Sequence, residues 1–552
     1  MNQPQPQAVA FSTLLHHIET GHVKIPQFQR EFVWQKAASA KLLDSILKGF
    51  PIGTFIVWET KETLRSVRNI GGAQLKPTPF GESAQYVLDG QQRLTSLYAA
   101  VRALKIRRAD GREDDFSQIW VHLAAKNEDD VVVVDTADFD PAHIISLSDL
   151  LHGGLTKLAA YPTEFHGRIE ELKKRLEGYQ FSLVVVKDAP IEVATEIFTR
   201  INVSGKPLSV FEIMVAKTYD ETQGFALAQR FEALDEKLRE RDYEILPSTI
   251  LQAVAAIITG GECQKRDILR IPKAVFIAKF DTAQDAIELA VDYLRGAYGI
   301  RASRLLPYHG LIVPFAYFFA HHARTPTGVT QKRLRDFFWR VSLSGRYSSA
   351  MENRVLQDIR ERINKILDGE AAPYDFGVDV SPQALGNNGY FSVGRAYIKA
   401  MLCLLAQQKP RSFASGDDVN IQNDWLKQAN SRNYHHFFPK SFLTKKGEED
   451  FYINHIANIT IVDDYLNKRV IVTKSPAVYI REFAGKNSDL EATLATHFVS
   501  LTQSGIAEND YDTFYKARLA AMSKALKKQL IALEIDRRGP TSTFDDYEPV
   551  TE

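Results

Sequence analysis

The 552-residue sequence contains only two cysteines, Cys263 and Cys403. Two cysteines cannot form a disulfide framework or a cysteine-based zinc site. The most apolar runs, such as residues 311–320, reach about ten residues, half of the ~20 that a membrane-spanning helix needs. The first ten residues lack the basic start and apolar core of a secretory signal. We therefore expect a soluble protein of the cytoplasm without a membrane partner.

Positive and negative side chains balance, since Lys and Arg number 68 and Asp and Glu also number 68. Without a net charge, any contact with nucleic acid depends on local basic patches. Hydrophobic residues make up 45% and charged residues 25% of the chain, as in ordinary globular proteins. These values exclude a disordered, collagen-like or coiled-coil protein, and the length allows two large domains or roughly three to four smaller ones.

The predicted elements divide the chain into an α/β part and a helical part. Strands and helices alternate in the first part: helix 36–51, strand 54–59, strand 86–90, helix 91–104, strands 131–134 and 181–186, and helix 191–201. The fold class is therefore multidomain α+β. We predict an α/β domain over 1–221, a mostly helical connecting region over 222–424, a third domain over 425–538 and a disordered acidic tail over 539–552.

Two segments near the C-terminus carry the residue types of a metal-dependent nuclease, NYHHFFPKSF (433–442) and NHIANITIVDDYLNK (454–468). A ββα-metal nuclease needs an imidazole that activates water, ligands that hold a divalent metal over the phosphate, and an Asn that fixes the loop bearing the base. The imidazole of His435 and the side-chain carbonyl of Asn467 suit the metal. Because these protein ligands are few, the metal keeps several waters, which favours Mg²⁺ or Mn²⁺.

Basic residues beside these segments are candidate contacts to DNA phosphates. They follow the last predicted ligand or lie in the segment 516–528, which has no acidic residue: Lys468, Arg469, Lys474, Lys516, Arg518 and Lys524. The alternative for the second group is an ordinary solvated helix face. His455 does not fit the spacing of the site, and we expect it to be structural or to lie on the surface.

Three segments of the first domain, at 24–34, 87–97 and 198–213, form a second pattern. In the middle segment a strand runs directly into a helix, whose first N–H groups bind anions with the help of the helix dipole. Side-chain donors add to them, and a guanidinium grips phosphate with two bonds. The predicted nucleotide site consists of Asp89, Gly90, Gln91, Gln92 and Arg93. The sequence has no Walker A pattern, and the alternative is an ordinary turn that caps a helix.

The C-terminal segments resemble the HNH nuclease superfamily, in particular the C-terminal domain of GmrSD-type modification-dependent restriction enzymes. His436-Phe437-Phe438-Pro439 matches their His-x-Phe-Pro element. The resemblance implies that His436 is the general base, His435 a metal ligand, Asn458 the orienting Asn and Asn467 the last metal position. The chain departs from this pattern twice, with His435 where an acid is common and Asn467 where a His is expected.

The N-terminal segments resemble the N-terminal domain of GmrSD-type proteins and of relatives such as BrxU and SspE. Residues 89–93 match their Asp-Gly-Gln-Gln-Arg element. An Ile-Pro-x-aromatic-Gln-Arg element is matched by Ile25, Pro26, Phe28, Gln29 and Arg30, and a third, less specific element by Arg200, Asn202 and Gly205. The resemblance implies a ParB/sulfiredoxin-like domain that binds and hydrolyses GTP or ATP, with Pro26, Phe28, Gln29 and Arg30 in a sensor or nucleotide pocket.

Together, the two patterns predict a single-chain endonuclease of anti-phage defence, of the type IV restriction class. Its N-terminal domain would bind a nucleoside triphosphate and sense modified double-stranded DNA, and its HNH domain would cut that DNA. Two alternatives stay open: an SspE-like nickase that senses backbone phosphorothioate, and a nucleotide-dependent DNA-binding regulator with a vestigial nuclease site. The sequence also leaves open whether the chain is a monomer or a homodimer.

Overall fold

The computed structural model describes most of the chain, with several gaps: residues 3–26, 32–62, 64, 66, 69–70, 73–108, 111–126, 129–201, 209–220, 222–422, 434–462, 471 and 473–538. These residues fall into two compact units, Met1–Leu227 and Ala228–Glu552. The predicted acidic tail, 539–552, lies outside the described residues.

A mixed β-sheet organises the first unit. Its five strands are β1 (Gln5–Ala10), β2 (Val23–Lys24), β3 (Phe55–Thr60), β6 (Ala84–Asp89) and β12 (Gln180–Lys187), in the order β1-β12-β3-β6-β2. β12 runs parallel to β3, and β2 parallel to β6, whereas the other two pairings are antiparallel. Val, Ile and aromatic residues dominate the central strands, as expected for a pleated surface buried on both sides.

Seven short strands form three small antiparallel sheets in the described part of the first unit, β4-β5, β7-β8 and β10-β9-β11. They are β4 (Asn69–Ile70), β5 (Ala73–Gln74), β7 (Lys105–Arg107), β8 (Glu113–Asp115), β9 (Trp120–His122), β10 (Val132–Val133) and β11 (Ile144–Ser146), with β9 shared between two pairings. The strand predicted over 131–134 is thus two residues long.

The helices described in this unit are α1 (Phe11–Glu19), α2 (Lys36–Leu47), α3 (Gln91–Val101), α4 (Leu147–His152), α5 (Leu155–Leu158), α6 (Thr163–Glu177), α7 (Ile191–Ile201) and α8 (Val210–Thr218). The apolar face predicted on α2, formed by Leu42, Leu43, Ile46 and Leu47, is buried in the core of this unit. β6 is followed directly by α3, as predicted.

The described part of the second unit is mainly helical. Its helices are α9 (Leu227–Arg239), α10 (Pro247–Thr259), α11 (Lys265–Arg270), α12 (Lys273–Tyr298), α13 (Ile312–His321), α14 (Gly328–Leu343), α15 (Met351–Asp358), a π-helical turn (Ile359–Ile363), α16 (Asn364–Leu367), α17 (Pro382–Asn388), α18 (Ala396–Gln407), α19 (Lys440–Lys446), α20 (Asp450–Ile453), α21 (Pro476–Ala484), α22 (Leu490–Ala495) and α23 (Tyr511–Lys527). Two strands, β13 (Tyr434–His436) and β14 (Ile459–Ile461), pair antiparallel.

A buried cluster of charged side chains joins α14 to the segment after α23. Arg340 is fully buried, and its Nε donates to both carboxylate oxygens of Asp336 at 3.0 Å. Its two Nη atoms donate to the carboxylate of Asp536 at 2.7 and 2.9 Å. The backbone of Ile531 completes the cluster, since its carbonyl accepts from Arg340 and its N–H donates to Asp336. A buried cation needs such partners.

The architecture is a mixed α/β multidomain fold with a central mixed sheet and a helical C-terminal part. The ParB/sulfiredoxin-like and HNH assignments stay predictions. The HNH assignment depends in part on residues 463–470, which lie outside the described range. Among the residues that the structure describes, no helix has the length and apolar character that a membrane crossing needs.

Candidate functional site

An antiparallel strand pair carries the two adjacent histidines of the candidate nuclease site. β13 ends with His435 and His436, and it pairs with β14. Because successive residues of a strand point to opposite faces, the two side chains diverge. His435 is buried and His436 is half-buried. The strand therefore turns the first imidazole to the interior and the second toward the surface.

His436, the predicted general base, is held by a side-chain hydrogen bond. Its Nε2 lies 3.1 Å from Oδ1 of Asn454. Burial lowers the pKa of His436 to about 4, and the positive charge of Lys440 adds to this shift, whereas Asn454 opposes it. The imidazole is thus neutral at pH 7, as required of a group that takes a proton from water.

Asn458, the predicted orienting residue, ties down the turn that follows His436. This fully buried side chain accepts from the N–H of Phe438 at 2.9 Å and donates to the carbonyl of the same residue at 3.0 Å. It also donates to the carbonyl of Ile453 at 3.0 Å. These bonds fix the backbone next to His436. The effect of Asn458 on catalysis stays a prediction.

His435, the predicted metal ligand, lies in the aromatic core below the strand. Its ring packs against Phe413 and Tyr479, with centroids 6.3 and 6.2 Å away. Its Nδ1 lies 3.2 Å from Oγ1 of Thr460, and that hydroxyl donates its single proton to the carbonyl of His435. The hydroxyl must therefore accept from Nδ1–H, which leaves the lone pair on Nε2. Burial lowers the pKa of His435 to about 3.

The donor chemistry of His435 fits a metal ligand, because a ligating imidazole is neutral and usually engages its other N–H in a hydrogen bond. Its location is more enclosed than a metal over a phosphate requires, since 3% of the residue is exposed. The second predicted ligand, Asn467, lies outside the described residues. Among the residues that are described, no group of three His, Cys, Asp or Glu is arranged to hold a metal. The metal site therefore stays a prediction.

Asp450 and Asn454 also belong to the geometry of the site, although neither is part of the predicted motif. Asp450 begins α20 and Asn454 directly follows this helix. Nδ2 of Asn454 donates to Oδ1 of Asp450 at 2.7 Å. Side chains four positions apart on a helix face each other, and this spacing is the sequence signal that predicts the pair. The contact of Asn454 with His436, 18 positions away, has no such local signal in the sequence.

His455 has a structural role, one of the two alternatives expected from the sequence. Its fully buried ring accepts the N–H of Ala457 at Nδ1, at 3.0 Å, and its Nε2 lies 3.1 Å from the carbonyl of Gly386. Both ring nitrogens are thus engaged in the interior.

The prediction that Arg518 contacts DNA phosphates is wrong. Its guanidinium is fully buried and donates to the carbonyls of His497 and Ala457, at 3.0 and 2.6 Å. Burial lowers the pKa of Arg518 to about 9. A side chain with no exposed surface cannot reach a phosphate, and Arg518 instead holds α23 to the turn before β14.

The other described candidates for phosphate contact lie on the surface. Lys474 pairs with Glu482 at 2.6 Å, and Lys516 pairs with Asp512 one turn earlier on α23. Lys524 is exposed on the same helix. Lys468 and Arg469 lie outside the described residues. Contact of these lysines with DNA stays a prediction, and each of the two ion pairs would have to open for it.

The second candidate site is the turn from β6 into α3. Gly90 has a φ of +93°, and a Cβ added there would lie 2.4 Å from Cδ1 of Phe55. Only glycine adopts this left-handed conformation without strain and leaves room for the ring. The helix therefore starts directly on the sheet, in the arrangement that the sequence predicts for an anion-binding turn.

Arg93 is already engaged within this turn. Its guanidinium donates to the carbonyl of Ile52 at 2.7 Å, to the carbonyl of Thr54 at 3.1 Å and to the carboxylate of Asp89 at 3.0 Å. It also lies 5.1 Å from the centroid of the Phe55 ring. A two-bond grip on phosphate would compete with these partners, so the phosphate role of Arg93 stays a prediction beside a clear structural one.

Gln91 and Gln92 are buried and connect two of the three predicted segments. Oε1 of Gln92 accepts the N–H of Val33 at 2.9 Å, and its Nε2 donates to Oε1 of Gln91 at 3.2 Å. The structure thus brings Val33, near the end of the predicted segment 24–34, to the turn at 89–93.

The predicted sensor or nucleotide pocket, and the third element formed by Arg200, Asn202 and Gly205, are described only in part. Pro26 forms an isolated bridge with Ser66, and Arg200 is exposed and pairs with Glu196. Five predicted residues lie outside the described range: Phe28, Gln29, Arg30, Asn202 and Gly205.

Two comparisons with known proteins bear on this arrangement. Residues 11–219 match the family described as the N-terminal domain of the GmrSD restriction endonuclease. The match supports the predicted resemblance of the first unit to the GmrSD-type family. It covers α1 to α8 and the turn at 89–93, and it suggests a restriction endonuclease-type function, that of a hydrolase that cuts DNA. The chain is also 25% identical to the uncharacterized protein MJ0686 of Methanocaldococcus jannaschii over 553 residues, covering 90% of this chain and 92% of that protein.

Proposed function

We propose that the protein is a modification-dependent DNA endonuclease of a type IV restriction system acting against phage. The match of residues 11–219 to a restriction endonuclease domain carries this proposal. A second observation supports it. The other unit of the same chain holds a half-buried, neutral histidine, His436, beside a turn fixed by the buried Asn458.

In the proposed reaction His436 accepts a proton from the water that attacks the scissile phosphorus, and the bond to the leaving oxygen of the DNA strand breaks. Asn458 keeps the turn after His436 in place during this step. Mg²⁺ or Mn²⁺, held by His435 and Asn467, would stabilise the added negative charge when bound. Exposed lysines such as Lys474, Lys516 and Lys524 would position the DNA through its phosphates.

The first unit would bind GTP or ATP at the turn formed by residues 89–93. A helix that begins directly on a sheet offers its first N–H groups to a phosphate. Binding or hydrolysis of the nucleotide would regulate cleavage, because the proposed nucleotide and nuclease sites lie on one chain. Modified bases or backbones in double-stranded DNA would be sensed by the same unit.

Cleavage of matched plasmids tests the proposed function. The panel contains unmodified, hydroxymethylated, glucosylated and phosphorothioated DNA, each with Mg²⁺ or Mn²⁺ and with or without GTP or ATP. We expect cleavage of one modified DNA, stimulated by nucleotide and lost in His436→Ala. His152→Ala, which removes an exposed histidine of the first unit, is the matched control and should cut normally. Equal cutting of all four DNAs, or unchanged cutting by His436→Ala, would contradict the proposal.

His435→Ala tests the proposed metal ligand separately. If His435 binds the metal, this variant should need a higher Mn²⁺ concentration for half-maximal cleavage, with a corresponding loss of Mn²⁺ binding in calorimetry. If His435 only fills the core, the midpoint temperature of unfolding should fall while the Mn²⁺ dependence stays as in the wild type.

A DNA-binding regulator is the second candidate function. The divergence of His435 and His436 on β13 favours it, because a metal ligand and a general base that act on one phosphate should converge. Tight binding to a modified DNA without cleavage of any DNA in the panel, while nucleotide is still hydrolysed, would favour the regulator over the nuclease.

A further inference from the structure

A chain of side-chain hydrogen bonds leads from His436 to the surface. Nε2 of His436 lies 3.1 Å from Oδ1 of Asn454, and Nδ2 of Asn454 donates to Oδ1 of Asp450 at 2.7 Å. The hydroxyl of Tyr390 donates to the other carboxylate oxygen of Asp450 at 3.2 Å. Both oxygens of Asp450 thus have a donor, and each member of the chain has a defined partner.

The donors and acceptors in this chain determine which nitrogen of His436 carries the proton. A carboxylate accepts hydrogen bonds and does not donate them, so the NH₂ group of Asn454 must face Asp450. The amide oxygen of Asn454 then faces His436 and can only accept. Nε2 of the neutral imidazole must therefore carry the hydrogen, and the lone pair lies on Nδ1.

The backbone holds Asn454 in this orientation from two sides. Its N–H donates to the carbonyl of Asp450 at 2.9 Å, and its carbonyl accepts the N–H of Phe391 at 2.8 Å. The Tyr390 ring stacks on Phe451 of α20, with centroids 6.0 Å apart and an angle of 22° between the planes. The pair of Asp450 and Asn454 is thus built into the fold beside His436.

We propose that Asn454 is a positioning residue for the general base, and that Asp450 fixes its amide so that Nδ1 of His436 is the atom that accepts the proton from water. This inference rests on the proposed nuclease function. Asn454 and Asp450 touch neither the water nor the phosphate in this scheme, and they act through the tautomer and the ring orientation of His436.

Four variants test this inference by cleavage of the DNA panel with Mn²⁺. Asn454→Ala should lower kcat by about tenfold, the equivalent of about 1.4 kcal/mol, because one hydrogen bond to the base is lost. Asp450→Ala should also lower kcat, since the freed amide can turn its NH₂ group toward His436 and favour the wrong tautomer. KM should stay within about twofold in both, because substrate binding is not altered.

Exchange of the two side chains is the decisive rescue. In the double variant Asp450→Asn, Asn454→Asp, the new amide donates to the new carboxylate, whose second oxygen accepts from Nε2 of His436. The double variant should raise kcat above both single alanine variants. Asn388→Ala, which removes a side-chain hydrogen bond to the carbonyl of Ala384 on α17, is the control and should cut like the wild type.

Nitrogen NMR of the histidine rings gives a readout that does not depend on cleavage. The wild-type protein should show His436 with a protonated Nε2, identified by comparison with His436→Ala, and Asn454→Ala should lose this single tautomer. If the wild type cuts DNA through His436 and Asn454→Ala cuts equally fast, the positioning role of Asn454 is refuted while the proposed nuclease function stands. If no DNA is cut, the proposed function fails, while a protonated Nδ1 in the wild type would still overturn the assignment of Asn454.

Discussion

Replacement of Asn458 by alanine should strongly destabilise the second unit. The side chain makes three hydrogen bonds, two with the backbone of Phe438 and one with the carbonyl of Ile453, and it is fully buried. At about 1 kcal/mol for each bond the loss is about 3 kcal/mol, and it rises toward about 5 kcal/mol if the orphaned N–H and carbonyl groups find no water. We also expect the turn after His436 to loosen, so DNA cleavage should fall.

Urea unfolding combined with peptide-resolved hydrogen exchange measures this effect in the second unit alone. Peptides that contain Phe438 should lose protection first, because the amide of that residue donates to Asn458. Asn388→Ala is the matched control, since Nδ2 of this Asn donates to the carbonyl of Ala384 at 2.9 Å, and its loss should cost about 1 kcal/mol. Equal losses in the two variants would refute the reasoning that the buried bonds of Asn458 hold the turn.

Three further predictions concern stability, charge and pH. Gly90→Ala should destabilise the first unit by about 1–2 kcal/mol of backbone strain plus the clash with Phe55, and unchanged urea unfolding would contradict this. Arg518→Met should lower the midpoint temperature of unfolding and leave the salt dependence of DNA binding unchanged. Lys524→Ala should leave the midpoint temperature unchanged and reduce the slope of log K against log salt by about 0.9. Burial lowers the pKa of His455 to about 4 and that of His497 to about 3. Between about pH 6.5 and pH 4 the unfolded chain therefore binds protons that the native state does not. The free energy of unfolding should fall as the pH drops through this window, by up to about 1.4 kcal/mol per pH unit for each His. The midpoint temperature of unfolding, measured against pH, should depend less on pH in His497→Gln than in the wild type.

The elements that could be predicted from the sequence are those with a strong local pattern. Helix α2 has a continuous apolar face, and the Asp-Gly turn between β6 and α3 has a glycine at the one position with a positive φ. Helix α7 was predicted at residues 191–201, the bounds that it has in the structure. In each case the pattern lies within a few neighbouring residues.

Arg518 shows how charge alone misled the prediction. The segment 516–528 has basic residues and no acid, but Arg518 lies four positions after Phe514 and four before Met522, both of which are buried on α23. Residues at this spacing share one helix face, so periodicity predicts an interior position for Arg518. The two carbonyls that pair with it lie 21 and 61 positions away and have no local signal.

The parts of the candidate sites that could not be predicted depend on distant contacts. Arg93 donates to carbonyls 39 and 41 positions earlier in the chain, and only the folded sheet brings them together. The divergence of His435 and His436 needed the knowledge that both lie within one strand. Similarly, the link from His436 to Asn454 joins side chains 18 positions apart in the chain.

The buried Arg340 has a consequence for the order in which the second unit folds. Its carboxylate partner Asp536 lies 196 positions further along the chain, and Ile531 lies 191 positions further. During synthesis Arg340 emerges together with Asp336, its partner on the same helix, but long before Asp536 and Ile531. Its two Nη atoms must therefore stay hydrated until these residues arrive, because a buried cation that is only partly paired is costly. Helix α14 therefore cannot reach its final packing early, and the unit that carries His436 should complete its folding only after residues 531–536 have been made.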